Sequence, residues 1–187
     1  MSLPMNTSPD NRERLRRLIK ERSLLSGDFT LASGDRSQFF FDMKKTMLHP
    51  EGAALIADAL FAIARQEKAV RFLGGLELGA VPIIATVCMR SWPDQPLGGF
   101  IVRKEKKGRG TDKLIEGNIE PRSAVILFED VTTTGESVMQ AVRAVRDLGC
   151  TIARIVTIVD RLAGAEKNLR AEGLELTALY TKDDFAA

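Results

Sequence analysis

This sequence predicts an α/β domain with a mostly parallel sheet and helices on both of its faces. Three observations carry the prediction. Apolar runs of strand length at 69–73, 124–128 and 152–159 are too continuous for half-exposed strands and read as buried on both sides. A turn or a polar break and then a segment of helical spacing follow each run, the alternation that builds a parallel sheet. The chain has 187 residues, 44% of them hydrophobic, which suits one medium domain with a substantial core and at most a small appendage.

Composition removes several function classes. No apolar run approaches the roughly 20 residues of a membrane helix. No secretory signal is visible, and Met1-Ser2-Leu3-Pro4 ahead of Met5 reads as a leader outside the fold. The two cysteines, Cys88 and Cys150, have no metal-ligand spacing and His49 is the only histidine, so zinc sites and cysteine–histidine catalysis lack support. Free thiols in a reducing cytosol are expected. The net charge of +2 does not by itself imply nucleic acid.

The elements follow in order. Ser8 and Pro9 form an N-cap and first helical residue, and Leu15, Leu18 and Ile19 keep helical spacing on a basic segment. Phe29-Thr30-Leu31 and Phe39-Phe40-Phe41 flank a hairpin turn at 32–37. Three consecutive phenylalanines point to both faces of a strand, so one must meet a ligand ring or a second subunit. His49-Pro50 opens a helix to about Arg65. The strand at 69–73 runs into the glycine-punctuated turn Gly74-Gly75-Leu76-Glu77-Leu78-Gly79 and a helix with Pro82 in its first turn. A short strand at 100–102 precedes residues 103–113, a cationic, glycine-containing loop expected to move without ligand. The helix at 136–148 ends at Gly149, a strand at 152–159 leads to Asp160-Arg161, a short helix stops at Gly173, and a last strand covers 174–180.

The stretch Phe128-Glu129-Asp130-Val131-Thr132-Thr133-Thr134-Gly135-Glu136-Ser137 organises the rest. Its turn offers backbone N–H groups and hydroxyls at a helix N-terminus, where an anion is stabilised. Its two acids stand at a strand's C-terminal end, where open α/β sheets place ligands. Arg161, the 74–79 turn and the cationic loop fall on the same rim. A phosphorylated sugar with a diphosphate leaving group would use them all: acids facing vicinal hydroxyls, the turn holding a phosphate, and Lys104, Lys107 and Arg109 neutralising the diphosphate. No P-loop and no dinucleotide fingerprint occurs.

The same stretch resembles the phosphoribosyl-diphosphate (PRPP) motif of the type I phosphoribosyltransferases. Phe29-Thr30-Leu31-Ala32-Ser33-Gly34, Phe39 to Asp42, the 74–79 turn, Val102-Arg103-Lys104-Glu105-Lys106-Lys107, residues 110–117 and Asp160-Arg161 resemble, in order, the orotate-specific branch of that family. The resemblance implies transfer of phosphoribose from PRPP to N1 of orotate, giving orotidine 5′-monophosphate and diphosphate in pyrimidine synthesis. It implies Mg²⁺ carried by PRPP, with no direct protein ligand. It also implies a cytoplasmic homodimer in which each basic loop reaches the partner's site, with no nucleic-acid or membrane partner. PRPP would be bound by Glu77, Leu78, Arg103, Lys104, Lys107, Arg109, Glu129, Asp130, Val131, Thr132, Thr133, Thr134, Gly135, Glu136 and Ser137, with Lys107, Arg109 and Asp130 catalytic. Orotate would be bound by Phe39, Phe40, Thr133 and Arg161. Residues 1–45 are expected to form a helix-and-hairpin hood on a core of 46–187. Ala32, Leu78 and Arg109 depart from lysine, lysine and histidine or tyrosine in many relatives. Arg109 keeps a cation but is a poor acid, so charge neutralisation is the role expected of the loop. A transferase for another base and a PRPP-sensing regulator are the rival readings.

Overall fold

The computed structural model describes residues 8–30, 36–105 and 113–186. Ala32, Lys106, Lys107 and Arg109 fall outside them.

The N-terminal part comprises α1 (Pro9–Arg22), β1 (Leu24–Thr30), β2 (Arg36–Phe41) and the one-turn α2 (Lys44–Met47). Ser8 caps α1 as its spacing predicts, its hydroxyl accepting from the Asn11 amide at 3.3 Å. Strands β1 and β2 pair antiparallel, Leu24 opposite Phe41 and Leu25 opposite Phe40, in a sheet of their own. After α3 (Pro50–Ala64) come β3 (Val70–Leu76), α4 (Ala80–Ser91), β4 (Gly98–Val102), β5 (Ile115–Gly117) and β6 (Ala124–Thr132). The chain continues through α5 (Glu136–Asp147), β7 (Thr151–Asp160), α6 (Ala165–Ala171) and β8 (Leu176–Thr181).

The main sheet has the order β5-β4-β3-β6-β7-β8, parallel except for the edge strand β5. Continuous apolar runs make strands buried on both sides, and β6 shows how. Ile126 and Phe128 enter the core shared with α1, α3 and α4, while Val125 and Leu127 enter the core shared with α5 and α6. The helices thus cover opposite faces, the doubly covered arrangement a parallel sheet requires.

Two strands outrun the sequence expectation. β3 continues through Gly74 and Gly75, because these glycines leave room for neighbours rather than make a turn. A Cβ on Gly74 would collide with the edge of the Phe100 ring, and one on Gly75 would collide with the Phe128 carbonyl oxygen and the Ala80 methyl. β6 continues past its acids to Thr132, held by β7 through the pairing of Val131 with Val159 and Thr132 with Asp160. Gly149 and Gly173 end their helices with φ of 72° and 71°, as read from the sequence.

Topology fixes where a ligand can sit. From β3 the chain returns through α4 to β4 on one side, and from β6 through α5 to β7 on the other. The neighbours β3 and β6 therefore feed loops that part over opposite faces of the sheet. The crevice between their C-terminal ends is the topological switch point of an open α/β sheet.

Candidate active site

The crevice is walled by the segment after β3, the end of β6 with the loop into α5, and the end of β2 with the start of α2. Its two connected halves enclose about 260 Å³ and about 390 Å³. Lys44, Lys104, Glu129, Asp130, Val131 and Ser137 border both. Glu77, Leu78 and Gly79 line the first half only. Phe40, Phe41, Thr133, Thr134, Gly135, Glu136 and Arg161 line the second.

At the α5 end, Gly135 occupies the left-handed region at φ 86°, and no side chain caps the helix. Its first amides are therefore open to an anion, aided by the helix dipole. The preceding loop is fixed from α6, where Asn168 Nδ2 donates to the Thr134 carbonyl at 2.9 Å. The acid pair lies on the floor. Burial pushes the Glu129 carboxyl up to about 8, with Asp130 adding repulsion and the Thr132 hydroxyl, which donates to it at 2.9 Å, opposing. Burial also raises Asp130; the Val131 amide and the Lys44 charge pull it back, and Asp42 adds to the rise. Asp130 rests against Gly79, where a Cβ would fall 2.8 Å from its carboxyl carbon. Such a glycine is a close-approach position rather than a turn residue.

On the opposite wall, the Glu77 amide donates to the Val102 carbonyl at 2.8 Å, and Glu77 Oε1 accepts from the Lys104 amide at 3.0 Å. Glu77 thereby joins the ends of β3 and β4. The Glu77–Leu78 peptide is cis, and Leu78 is exposed.

At the β2 end, Arg161 is buried and held in advance. Its Nη2 donates to Ser37 Oγ at 2.7 Å and to the Phe39 carbonyl at 3.3 Å, and its guanidinium lies 5.0 Å from the Phe39 ring centre. Its amide donates to the Thr132 carbonyl at 2.9 Å, tying it to the end of β6. Burial lowers its pKa; a guanidinium nonetheless keeps its charge.

Most of the residues singled out from the sequence meet here: Glu77, Leu78, Lys104, Glu129, Asp130, Val131, Thr133, Thr134, Gly135, Glu136, Ser137, Phe40 and Arg161. Three stand back from the cleft wall. Thr132 is buried beneath the acids. Arg103 turns to the edge strand, donating to the Glu105 carbonyl at 3.3 Å and pairing with Glu116 at 3.5 Å. Phe39 stacks on Arg161, and Phe41 borders the cleft beside Phe40. Lys107 and Arg109 lie outside the described residues. Sequence reasoning missed Lys44, Ser37 and the packing of Gly79. Lys44 could have been noticed as a cation just past the phenylalanine strand.

An acid pair and an uncapped helix start at the switch point of a doubly covered parallel sheet define the class: this is the type I phosphoribosyltransferase fold. No protein-family model matches the chain. An orotate phosphoribosyltransferase of Rhodopseudomonas palustris is 43% identical over 180 residues, covering 94% of this chain and 96% of that protein. The crystal structure of the Mycobacterium tuberculosis orotate phosphoribosyltransferase with Fe(III) dicitrate matches at a TM-score of 0.82 and 33% identity, covering 95% of this chain and 99% of that one. The same bacterium's enzyme in complex with PRPP matches at 0.77 and 29% identity, over 96% and 94% of the two chains. The chain belongs to the orotate phosphoribosyltransferase family.

Proposed function

We infer that the protein transfers the phosphoribosyl group of PRPP to N1 of orotate, giving orotidine 5′-monophosphate and diphosphate in pyrimidine synthesis. One observation carries the reading. A single cleft runs from the open amides of α5, past a buried acid pair, to an arginine already aimed and desolvated.

The roles follow from chemistry. The loop of residues 132–137 and the first turn of α5 take the ribose 5-phosphate through amides, hydroxyls and dipole. Glu129 and Asp130 accept from the vicinal ribose hydroxyls, and their charge favours the positive character that grows on C1 as the diphosphate departs. Arg161 offers its forked guanidinium to the orotate carboxylate, with Thr133 alongside and Phe40 facing the base. Phe39 acts through Arg161. Glu77 and Leu78 offer backbone to the diphosphate. Arg103, Lys104, Lys107 and Arg109 supply its counter-charge, and Arg109 neutralises rather than protonates.

Among the described residues, no group of three or more acidic, cysteine or histidine side chains converges as a metal cage. A hard divalent cation that keeps several waters would then arrive on the oxygens of the substrate, leaving Glu129 and Asp130 to the ribose hydroxyls. Mg²⁺ bound to the diphosphate would supply further neutralisation of the leaving group. The reading extends to a cytoplasmic homodimer that shares its basic loops, and to residues 1–45 acting as a hood over the 46–187 core. Among the described residues, no helix is long and apolar enough to cross a membrane.

The test is orotate consumption with PRPP and Mg²⁺, run against uracil and purines, with Asp130→Asn as control. Orotate-dependent diphosphate release that the variant abolishes is expected. Turnover of another base in preference to orotate, or salt-sensitive RNA binding without turnover, would overturn the reading.

A further inference from the structure

Lys44 is the first residue of α2 and borders both halves of the cleft. Its side chain is 52% exposed, and its Nζ lies 3.4 Å from Asp42 Oδ1, an oxygen without a hydrogen-bond partner. The contact is an ion pair that lacks hydrogen-bond geometry, and so a loose one. Its positive charge also acts on Asp130. Arg161, by contrast, is clamped by Ser37 and Phe39. A half-solvated ammonium on a flexible stem, beside the place where the two halves of the cleft join, is free to re-aim when an anion arrives.

We propose that Lys44 is a further substrate-binding residue of the transfer reaction, its ammonium moving from Asp42 to the phosphate of the leaving diphosphate nearest the ribose. The proposal rests on the functional reading above. As the C1–O bond of PRPP breaks, its electron pair leaves with the diphosphate oxygen. The N1 pair of orotate forms the new bond to C1, and the N1 proton passes to water. Lys44 stays protonated throughout and stabilises the charge growing on the departing oxygen. Asp42 serves as its resting partner between turnovers.

The experiment compares wild-type protein with Lys44→Met and Lys44→Arg by steady-state kinetics and by calorimetric titration of diphosphate with Mg²⁺. Lys44→Met is expected to lower kcat/KM for PRPP about ten- to a hundredfold, to leave KM for orotate within about twofold, and to weaken diphosphate binding. Lys44→Arg should recover most of the loss, because it restores the charge. Unchanged kinetics and diphosphate affinity in Lys44→Met would overturn the proposal. So would a defect that falls equally on orotate, or one that arginine fails to recover. If wild-type protein does not consume orotate with PRPP, the functional reading fails. The diphosphate titration still judges Lys44 separately.

Discussion

At neutral pH, PRPP binding should release a proton from Glu129. With its carboxyl pushed up to about 8, about nine-tenths of free molecules hold that proton at pH 7. Ribose hydroxyls donating to Glu129 favour the carboxylate and draw its pKa back toward the ordinary range. Binding at pH 7 should then release about 0.9 proton from this group, and at pH 9 only about 0.1, since most is already lost. Calorimetric titration of PRPP in two buffers of different ionisation enthalpy counts the protons. PRPP also titrates, so the same titration on Glu129→Gln is subtracted. Equal release by both proteins at pH 7, or a difference that persists unchanged at pH 9, would show that Glu129 does not take the sugar as a carboxylate.

The same group makes stability depend on pH. Its folded value lies above the unfolded value of 4.5, so its contribution is fully present below pH 4.5 and is lost as pH rises through about 8. Up to about 5 kcal/mol is at stake, and urea unfolding should show wild type losing more than Glu129→Gln between pH 5 and 9. Ser37→Ala removes a 2.7 Å charge-assisted bond to Arg161, and should raise KM for orotate about five- to tenfold with kcat and KM for PRPP little changed. Gly79 has ordinary helical dihedrals, φ −58° and ψ −41°, so Gly79→Ala strains no backbone, yet its methyl displaces the Asp130 carboxylate. Activity should drop at least about tenfold while the melting temperature moves little; an active variant would mean that the position of Asp130 matters less than argued.

Much of this was legible because the chain writes its parallel strands as unbroken apolar runs and ends its helices with glycines. The place of the 132–137 turn was legible for a related reason: threonines, a glycine and acids at the end of a buried strand mark a strand-to-helix turn, and the structure puts it on the cleft wall at the start of α5. The phenylalanine strand was not. Facing in a strand is read from alternation, and Phe39-Phe40-Phe41 has none. Only the contacts of the folded chain settle that Phe39 stacks on Arg161 while Phe40 borders the cleft. Strand β5 was missed because three residues with a glycine look like the tail of the basic loop; its identity comes from Phe100, Ile101 and Val102 across the ladder. Ser37 meets Arg161 from a position 124 residues away in sequence, and local pattern holds no trace of such a contact.

Strand β2 stands on the far end of the described chain. Phe41 meets Phe185 edge-on at 5.2 Å, and Phe185 in turn meets Tyr180, whose hydroxyl donates to the Arg12 carbonyl at 2.6 Å. Arg16 reaches the Asp184 carbonyl at 2.8 Å. The strand that borders the cleft at Phe40 and Phe41 is therefore wedged in place by residues some 140 positions later. On a ribosome β2 emerges well before the residues it stands on. It is translated early yet lacks its full footing until Phe185 has followed, so the shape of this end of the cleft depends on the last residues described.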